Sequence, residues 1–386
     1  MAQTLLGVGI GASDLVAICG ARGAAFVAAL LGVLKTGAAF VMVDPADRSA
    51  RAGSLLGRPN LRAWIQLEGP VAPPEIVGER LLVFSQFTCD PLDPLGQDRE
   101  RQDPGGSSNC IPADPRIEVN AEDLAGLIMI DGTGGIPETV VVTHGELSRL
   151  LQWVGESLNL NARDRFGLLS DSPGARMVQE LFMPLWVGGT LCIPQAGRSD
   201  TASLSEWLRA KEITVIHLSL GAGRALAARS GEIFPHLRYA FLSGGALTKQ
   251  DVLRLRRCAP SIKCINLFPG PGTRLAAGWF VAPENETLIR ELIPIGTGIA
   301  GAKLLVMNGN LQLAGVGEPG EIYIYNPHLD CEAGKEAYLN GNFPHLQLVA
   351  ESVNGKQLLR TGEMERYLPD GNIDVGPERR GEIRNY

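Results

Sequence analysis

Two continuously apolar strand segments, with a helix-length apolar run between them, constrain the fold most strongly. Asp14–Cys19 reads DLVAIC, Ala24–Leu34 reads as a buried helix, and Ala39–Val43 reads AFVMV. Strands that are apolar at nearly every position belong to sheets covered on both faces, and parallel strands need a crossover, which is usually a helix. The order therefore predicts a βαβ unit on a buried parallel sheet.

The same alternation resumes after residue 145, and the pattern changes near Ile293. Before that point, spacing predicts helices at Glu146–Leu158, Val178–Trp186, Leu204–Ala210 and Gln250–Arg257, and strands at Phe166–Leu169, Thr190–Ile193, Thr214–Leu218, Tyr239–Leu242 and Ile262–Leu267. Beyond it, Gly, Pro and Asn turns join short strands predicted at Lys303–Val306, Glu321–Tyr325, Gln357–Arg360 and Ile373–Val375. We therefore expect an α/β core over residues 1–290 with two layered sheet subdomains, and a small β-barrel-like subdomain over 291–376.

Residues 67–120 interrupt this alternation. They are rich in Pro, Gly, Ser and charge, with one strand candidate at Leu81–Phe84. Such a composition is typical of a surface excursion.

Composition excludes several classes of partner. The chain has 386 residues, 45% of them hydrophobic, and a net charge of −7, which together favour large cores and disfavour a nucleic-acid surface. The longest apolar run, Ala24–Leu34, is too short to span a membrane. The seven cysteines form no C-x-x-C pair and the five histidines show no metal spacing, so we expect reduced thiols, no metal site and a cytoplasmic protein.

A glycine-rich loop lies within Gly126–His144, which reads GLIMIDGTGGIPETVVVTH. Apolar runs at Leu127–Ile130 and Val140–Thr143 flank the loop, and this arrangement brings backbone N–H groups to a phosphate without side chains in the way. The loop is not a Walker-type loop, because no Gly-Lys-Ser/Thr ends it and a strand pattern follows. No cation lies within it, so what the loop holds stays open.

Seven motifs, in order and at matching spacing, resemble those of one family. They are LKTGAAFVMVDPADRSAR (Leu34–Arg51), DGTGGIPET (Asp131–Thr139), LSGGALT (Leu242–Thr248), INLFPGPGTR (Ile265–Arg274), IPIG (Ile293–Gly296), GEPGEIYI (Gly317–Ile324) and LLRTGEMERYLPDGNID (Leu358–Asp374). The chain resembles the adenylation domains of nonribosomal peptide synthetases, within the adenylate-forming enzyme superfamily. The resemblance implies the large N-terminal part of such a domain. It also implies ATP-dependent formation of an acyl-adenylate, usually from an amino acid, followed by transfer to a carrier-protein thiol.

The resemblance also implies a nucleotide site, which we interpret as vestigial. Its residues are Gly132, Thr133 and Gly135 of the phosphate loop, Asn266 and Phe268 near the adenine, and Glu363 in place of the ribose-binding aspartate. Two of these have alternatives: Phe268 as a core aromatic, and Glu363 as an exposed acid at a turn.

Departures from the family pattern cluster where the chemistry takes place. Glu138 and Thr139 replace the loop's lysine and glycine, and Asp131 replaces its first hydroxyl residue. Like charges about 4 Å apart repel by on the order of 1 kcal/mol in water and several times that near a protein surface. Pro271 and Gly272 stand where a threonine and a glutamate help to hold phosphate and Mg²⁺. The alternatives are a Mg²⁺ ion that bridges a carboxylate to phosphate, or a glycine-rich turn kept only for the fold.

The implied substrate pocket departs from the family in the same way. Ala175 replaces the aspartate that would pair with an α-amino group, Arg176 and Gln179 fill neighbouring positions, and Gly244 completes the pocket. Arg176 then favours an acid without the amine, and one that is negatively charged, or it fills an abandoned pocket. A shift of the alignment would make Asp171 the displaced partner.

These departures predict a degenerate, inactive adenylation domain. We expect it to act as a structural or docking module in natural-product biosynthesis, beside a peptidyl carrier protein and neighbouring assembly-line domains. We assign no catalytic residue, metal or bound cofactor. Residues 377–386 are expected to begin the family's hinge, with the C-terminal subdomain absent. The alternative is a ligase that uses ATP and Mg²⁺ to activate a carboxylic acid without an α-amino group and loads it onto a carrier protein.

Overall fold

The computed structural model describes residues 1–44, 55, 57–67, 81–87, 114–131, 137–170, 174–194, 201–229, 231–268, 276–325 and 358–375. For residues 85–87, 129–131, 137–140 and 175 it describes the backbone alone. The chain divides into two compact units. The first comprises Met1–Met129 and Val141–Gly145, and the second comprises Ile130–Val140 and Glu146–Tyr386.

The sheet of the first unit has the strand order β4-β3-β1-β2-β5-β6. Its elements are helices α1 (Ala2–Gly7) and α2 (Ala24–Leu34), and strands β1 (Leu15–Cys19), β2 (Ala39–Val43), β3 (Leu61–Leu67), β4 (Leu82–Phe87), β5 (Leu124–Asp131) and β6 (Pro137–Thr143). β1 pairs in parallel with β2, and every residue of both strands is buried. The predicted βαβ unit is confirmed.

Strand β3 was not predicted from the sequence, because Arg62 and Gln66 interrupt its apolar pattern. Gln66 is nevertheless buried, since its Oε1 accepts a hydrogen bond of 3.1 Å from the indole N–H of Trp64. β3 pairs in parallel with β1 on one side and with β4 on the other. The strand candidate at Leu81–Phe84 is therefore confirmed as a sheet strand.

The second unit contains a seven-stranded sheet with the order β13-β12-β11-β10-β9-β7-β8. Its strands are β7 (Arg165–Gly167), β8 (Thr190–Cys192), β9 (Val215–Ser219), β10 (Tyr239–Ser243), β11 (Lys263–Phe268), β12 (Gly278–Val281) and β13 (Thr297–Gly298). The helices from residue 144 onward are α3 (His144–Ser157), α4 (Ala175–Val187), α5 (Thr201–Ala210), α6 (Leu220–Ala227) and α7 (Lys249–Cys258), with a 3₁₀ turn at Glu286–Leu288. The α/β alternation predicted for this region is confirmed.

The order of the parallel strands creates a topological switch point at β7. β7 pairs in parallel with β8 on one side and with β9 on the other, so the chain leaves β7 in one direction and returns on its opposite side. β10 and β11 continue the parallel run beyond β9. In open α/β sheets, ligands bind outside the carboxyl ends of the strands at such a point.

A small antiparallel sheet, β14-β15-β16, also belongs to the second unit. Its strands are β14 (Lys303–Met307), β15 (Pro319–Tyr325) and β16 (Leu358–Arg366). The sheet shares a hydrophobic cluster with Phe268 at the end of β11. The division at residue 291 remains a prediction, and residues 377–386 lie outside the described part of the chain.

The segment Ile373–Val375 does not form the predicted strand. Ile373 makes only isolated bridges, with Gly296 and with Tyr367. Gly296 has a φ of +88°, and a Cβ there would lie 1.9 Å from the Trp279 carbonyl oxygen, so only glycine fits. Gly296 thus lies against Trp279, and its carbonyl oxygen accepts a hydrogen bond of 3.0 Å from the Ile373 N–H.

Candidate ligand site at the sheet switch point

Four polar side chains meet at the carboxyl side of β7 and in β9. We call Ser170, Arg176, Glu180 and His217 the switch-point site. Ser170 follows β7, and the Arg176 Nε–H donates to its Oγ at 2.9 Å. Glu180 lies one helical turn after Arg176 on α4, and its Oε2 accepts from the backbone N–H groups of Leu169 at 3.2 Å and Ser170 at 2.9 Å. These bonds tie the first turns of α4 to the end of β7.

Glu180 is an acid whose ionisation is suppressed by its surroundings. It is 1% exposed, and burial raises its pKa to about 7, against the opposing effects of Ser170 and the charge of Arg176. Near neutral pH the carboxyl therefore exists in both protonation states. Glu180 consequently compensates the charge of Arg176 only in part.

His217 is an uncharged and fixed member of the switch-point site. Its ring stacks on Phe241, which is its register partner in β10, with centroids 4.4 Å apart and planes inclined by 15°. Burial, followed by the nearby charge of Arg176, lowers its pKa to about 3, so the imidazole is uncharged at physiological pH. Sequence reasoning did not place His217 in this site, because its neighbours follow from the sheet order. The available signal was a polar residue within an otherwise apolar strand pattern.

The structure brings only some of the predicted pocket residues together. Arg176 lies in the switch-point site, and Gln179 precedes Glu180 on α4 and is buried. Gly244 follows β10 with a φ of +85°, and a Cβ there would meet no atom of the described residues within 4 Å. Ala175 is the first residue of α4, and its side chain is among those not described, as is the whole of Asp171. The pocket roles of these residues remain predictions.

The structure describes the strands on either side of the predicted phosphate loop but not the loop itself. β5 ends at Asp131 and β6 begins at Pro137, which confirms the strands predicted on either side of the loop. Gly132, Thr133 and Gly135 lie between them, outside the described residues. Pro271 and Gly272 also lie outside the described residues.

Asn266 links two of the recognised motifs. It is 6% exposed in β11, and its side-chain amide donates to the carbonyl oxygens of Ile293 at 3.1 Å and Pro294 at 2.8 Å. The IPIG motif is thereby held against β11. Phe268, two residues on, is 1% exposed within the hydrophobic cluster shared with the small sheet, as its alternative role as a core aromatic requires. The roles of both residues toward a nucleotide remain predictions.

Glu363 lies in a bulge that has its own polar support. Arg360 stands opposite Tyr323 and Met364 opposite Glu321, so three residues of β16 face one residue of β15. The Arg360 Nε–H donates to both carboxylate oxygens of Glu321 at 2.7 Å, and the Gly362 N–H donates to Glu321 Oε1 at 2.8 Å. Bulges re-aim side chains and are over-represented next to active sites.

A threonine completes the support of this bulge. The Thr361 hydroxyl donates to the Ile322 carbonyl oxygen at 2.8 Å and accepts from the Glu363 N–H at 3.1 Å. The backbone of Glu363 is thereby fixed within the bulge. Its predicted contact with a ribose remains untested.

Two expected absences can be examined only where residues are described. Within the ranges given above, no three His, Cys, Asp or Glu side chains cluster as metal ligands would. In the same part of the chain, no helix combines the length and apolarity needed to cross a membrane. Cys19, Cys192, Cys258 and Cys264 are buried free thiols.

Comparison with known proteins gives the family. The AMP-binding enzyme family matches residues 1–329. L-2-aminoadipate reductase of Schizosaccharomyces pombe is 29% identical over 97% of this chain and 29% of its own length. Tyrocidine synthase 3 of Brevibacillus parabrevis is 25% identical over 97% of this chain and 5% of its own length. The chain thus spans less than a third of these curated relatives.

Two solved structures of a Klebsiella oxytoca protein share the fold. The NpsA N-terminal subdomain in complex with 3-hydroxybenzoyl-AMSN has a TM-score of 0.72 at 23% identity, covering 97% of this chain and 89% of that one. An artificially fused NpsA–ThdA adenylation–PCP di-domain has a TM-score of 0.74 at 22% identity, covering 97% and 71%. The fold is therefore that of the N-terminal subdomain of adenylation domains. The chain belongs to the AMP-binding enzyme family and has homologues among the adenylation domains of nonribosomal peptide synthetases.

Proposed function

We propose that this chain is a degenerate adenylation domain of a nonribosomal peptide synthetase or hybrid assembly line. It does not activate an amino acid, and it serves as a structural or docking module. The observation that carries the proposal is the charge of the switch-point site. A guanidinium, Arg176, occupies the start of α4, directly after the alanine that stands in place of the family's aspartate.

An α-ammonium group would meet an unfavourable field at this position. Like charges about 4 Å apart at an effective dielectric constant of 20 repel by about 4 kcal/mol. Glu180 offsets this repulsion only in part, because its pKa of about 7 leaves it partly neutral. Taking an unpaired ammonium out of water adds a further cost.

The residues assigned to phosphate and Mg²⁺ by resemblance do not fit those groups. Glu138 would repel a polyphosphate, and Pro271 and Gly272 have no side-chain oxygen for a metal ion. We therefore derive no adenylation step for this chain.

A carrier protein is the neighbour that this proposal implies. Adenylation domains of peptide synthetases work with peptidyl carrier domains, as in the fused di-domain whose fold this chain shares. A domain that keeps this fold can still provide a framework for such a neighbour, even when its own chemistry is lost. The docking role rests on this argument.

ATP–pyrophosphate exchange tests the proposal directly. We expect no exchange above background with any proteinogenic amino acid or with L-2-aminoadipate, the acid in the name of the reductase relatives. The assay should use the chain within its full-length protein, beside an active adenylation domain as the positive control. Robust exchange with any of these amino acids would overturn the proposal.

A second candidate function is a working ligase for an acid without an α-amino group. The solved NpsA subdomain is bound to a 3-hydroxybenzoyl compound, and that acid has no such group. Arg176 is compatible with an acid of this kind. Exchange that depends on 3-hydroxybenzoate, ATP and Mg²⁺ would favour this function over the degenerate one.

A further inference from the structure

We propose that the amino edge of the seven-stranded sheet is a docking surface for an acidic helix of a partner protein. We define the amino edge by the basic residues at or just before the starts of β7, β9, β10 and β11, which are Arg163, Arg165, Lys211, Arg238 and Lys263. It shares no residue with the switch-point site. The inference rests on the docking role in the proposed function, and it adds the surface and the chemistry of the partner.

Backbone hydrogen bonds place the basic residues of the amino edge side by side. The N–H of Thr214 donates to the Arg165 carbonyl oxygen at 2.9 Å, and the Arg238 N–H donates to that of Thr214 at 2.8 Å. The Lys263 N–H continues the row by donating to the Arg238 carbonyl oxygen at 2.7 Å. The Arg165 Nε–H donates to the carbonyl oxygen of Lys211, directly after α5. The row from Arg165 to Lys263 crosses three strand spacings, or about 14 Å.

Three of the five basic side chains have no acidic partner in the described part of the chain. They are Arg163, Arg165 and Lys211, and no ion pair there includes them. The other two are already paired, one with a buried acid and one with a surface acid. Arg163 and Lys211 are exposed, and the adjacent exposed Glu212 offsets one of these charges. The amino edge therefore presents positive charge on a chain whose net charge is −7.

The spacing of these cations matches the carboxylates on one face of a helix. Neighbouring strands lie about 4.8 Å apart, and acidic side chains at i, i+4 and i+7 of an α-helix recur at roughly 5–6 Å. A helix laid across the strand starts can therefore bring one carboxylate near the cation at each strand. A long polyanion such as a nucleic acid fits less well, because the net charge of −7 repels it beyond this short row.

Fluorescence anisotropy with a designed peptide tests the proposal. The probe is a labelled alanine-rich helix with glutamates at i, i+4, i+7 and i+11, and the control peptide spreads the same glutamates around the helix. The full chain should bind the probe about fivefold more tightly than the control peptide, because only the probe faces all its charges to the edge. Raising the salt concentration from about 50 to about 300 mM should weaken binding of the probe about tenfold, since exposed charges are screened.

Substitutions at the edge locate the binding surface. Lys211→Glu should weaken binding of the probe about tenfold, and Arg165→Gln about threefold, because each removes positive charge from the row. Lys35→Glu is the matched control for the charge reversal. Lys35 is an exposed cation of the first unit, so this variant should bind the probe as the wild type does.

Four outcomes would overturn the inference. They are no binding of the probe by the wild type, equal binding of the two peptides, undiminished binding by Lys211→Glu, and tighter binding of a thymidine oligonucleotide of the same charge. Lys211 is exposed, so its variant decides even if Arg165→Gln fails to fold. Failure here leaves the lack of adenylation standing. Conversely, pyrophosphate exchange with an amino acid would overturn the proposed function and leave the amino edge to be judged by anisotropy alone.

Discussion

The two ends of β7 each place a buried acid near an arginine, but with different results. At the amino end, Asp164 accepts from Arg238 Nη1 at 2.6 Å, from Thr214 Oγ1 at 2.8 Å and from the Asn161 N–H at 3.0 Å. At the carboxyl end, Arg176 has no carboxylate partner in the described part of the chain, and burial keeps Glu180 partly neutral. The amino end is built for stability. At the carboxyl end, the described residues provide Arg176 with a hydroxyl partner and only a partly ionised acid nearby.

The largest expected loss of stability follows from a substitution at the amino end of β7. Asp164→Ala should lower the free energy of unfolding by roughly 3–5 kcal/mol, because it removes a buried carboxylate that accepts three hydrogen bonds, including one from the half-exposed Arg238. Arg176→Gln at the other end should cost less than about 1 kcal/mol, because Arg176 forms no ion pair with the residues that the structure describes. Denaturant unfolding of both variants, with Asp164→Asn as the isosteric control, measures the difference. Equal costs at the two ends would show that the contrast is wrong.

The pH dependence of stability tests the state of Glu180 at the carboxyl end of β7. The pKa of Glu180 is raised from 4.5 to about 7, so the folded state favours the protonated acid. The stabilisation of the folded state that results from this raised pKa is complete below pH 4.5 and is lost as the pH rises through 7. The free energy of unfolding should fall over this range by on the order of 3 kcal/mol. In Glu180→Gln this part of the pH dependence should vanish. The measurement is unfolding between pH 4.5 and 8, and an unchanged profile in the variant would refute the assignment to Glu180.

The smallest effect concerns the residue before Arg176. Ala175→Asp should raise affinity for L-2-aminoadipate about tenfold, or about 1.4 kcal/mol, by supplying a carboxylate for its ammonium group. Ala175→Asn adds similar bulk without the charge and should leave the affinity for L-2-aminoadipate unchanged. If the asparagine variant behaves like the aspartate variant, bulk and not charge sets the preference.

Local pattern was enough for much of the fold. The helix predicted at Ala24–Leu34 has those bounds in the structure, because an apolar run between two apolar strands leaves few alternatives. β12 and β13 were missed, since strands of four and two residues carry too little periodicity to stand out. The predicted strand at Ile373–Val375 was wrong, because Ile373 makes only isolated bridges, with Gly296 and with Tyr367, and a local sequence pattern does not show whether a ladder continues.

The residues of the candidate site were likewise predicted only where the local sequence was informative. Arg176 and Gln179 came from motif alignment, which fixes chain position. Glu180 served only as an alignment landmark, because its raised pKa depends on burial against the end of β7, which a linear pattern does not contain. Sequence analysis did not place His217 in the site for the same reason, because His217 contacts Phe241 only through the pairing of β9 with β10.

The bulge at Arg360–Glu363 is supported by bonds that arise close to it. The bonds described above that shape it come from Glu321, Ile322 or the bulge itself, all within two neighbouring strands. None of those bonds involves the switch-point site or the glycine-rich loop. These bonds therefore do not depend on the side chains at positions 138 and 175, and they would hold the bulge in place whether or not those positions keep the residues of the family pattern.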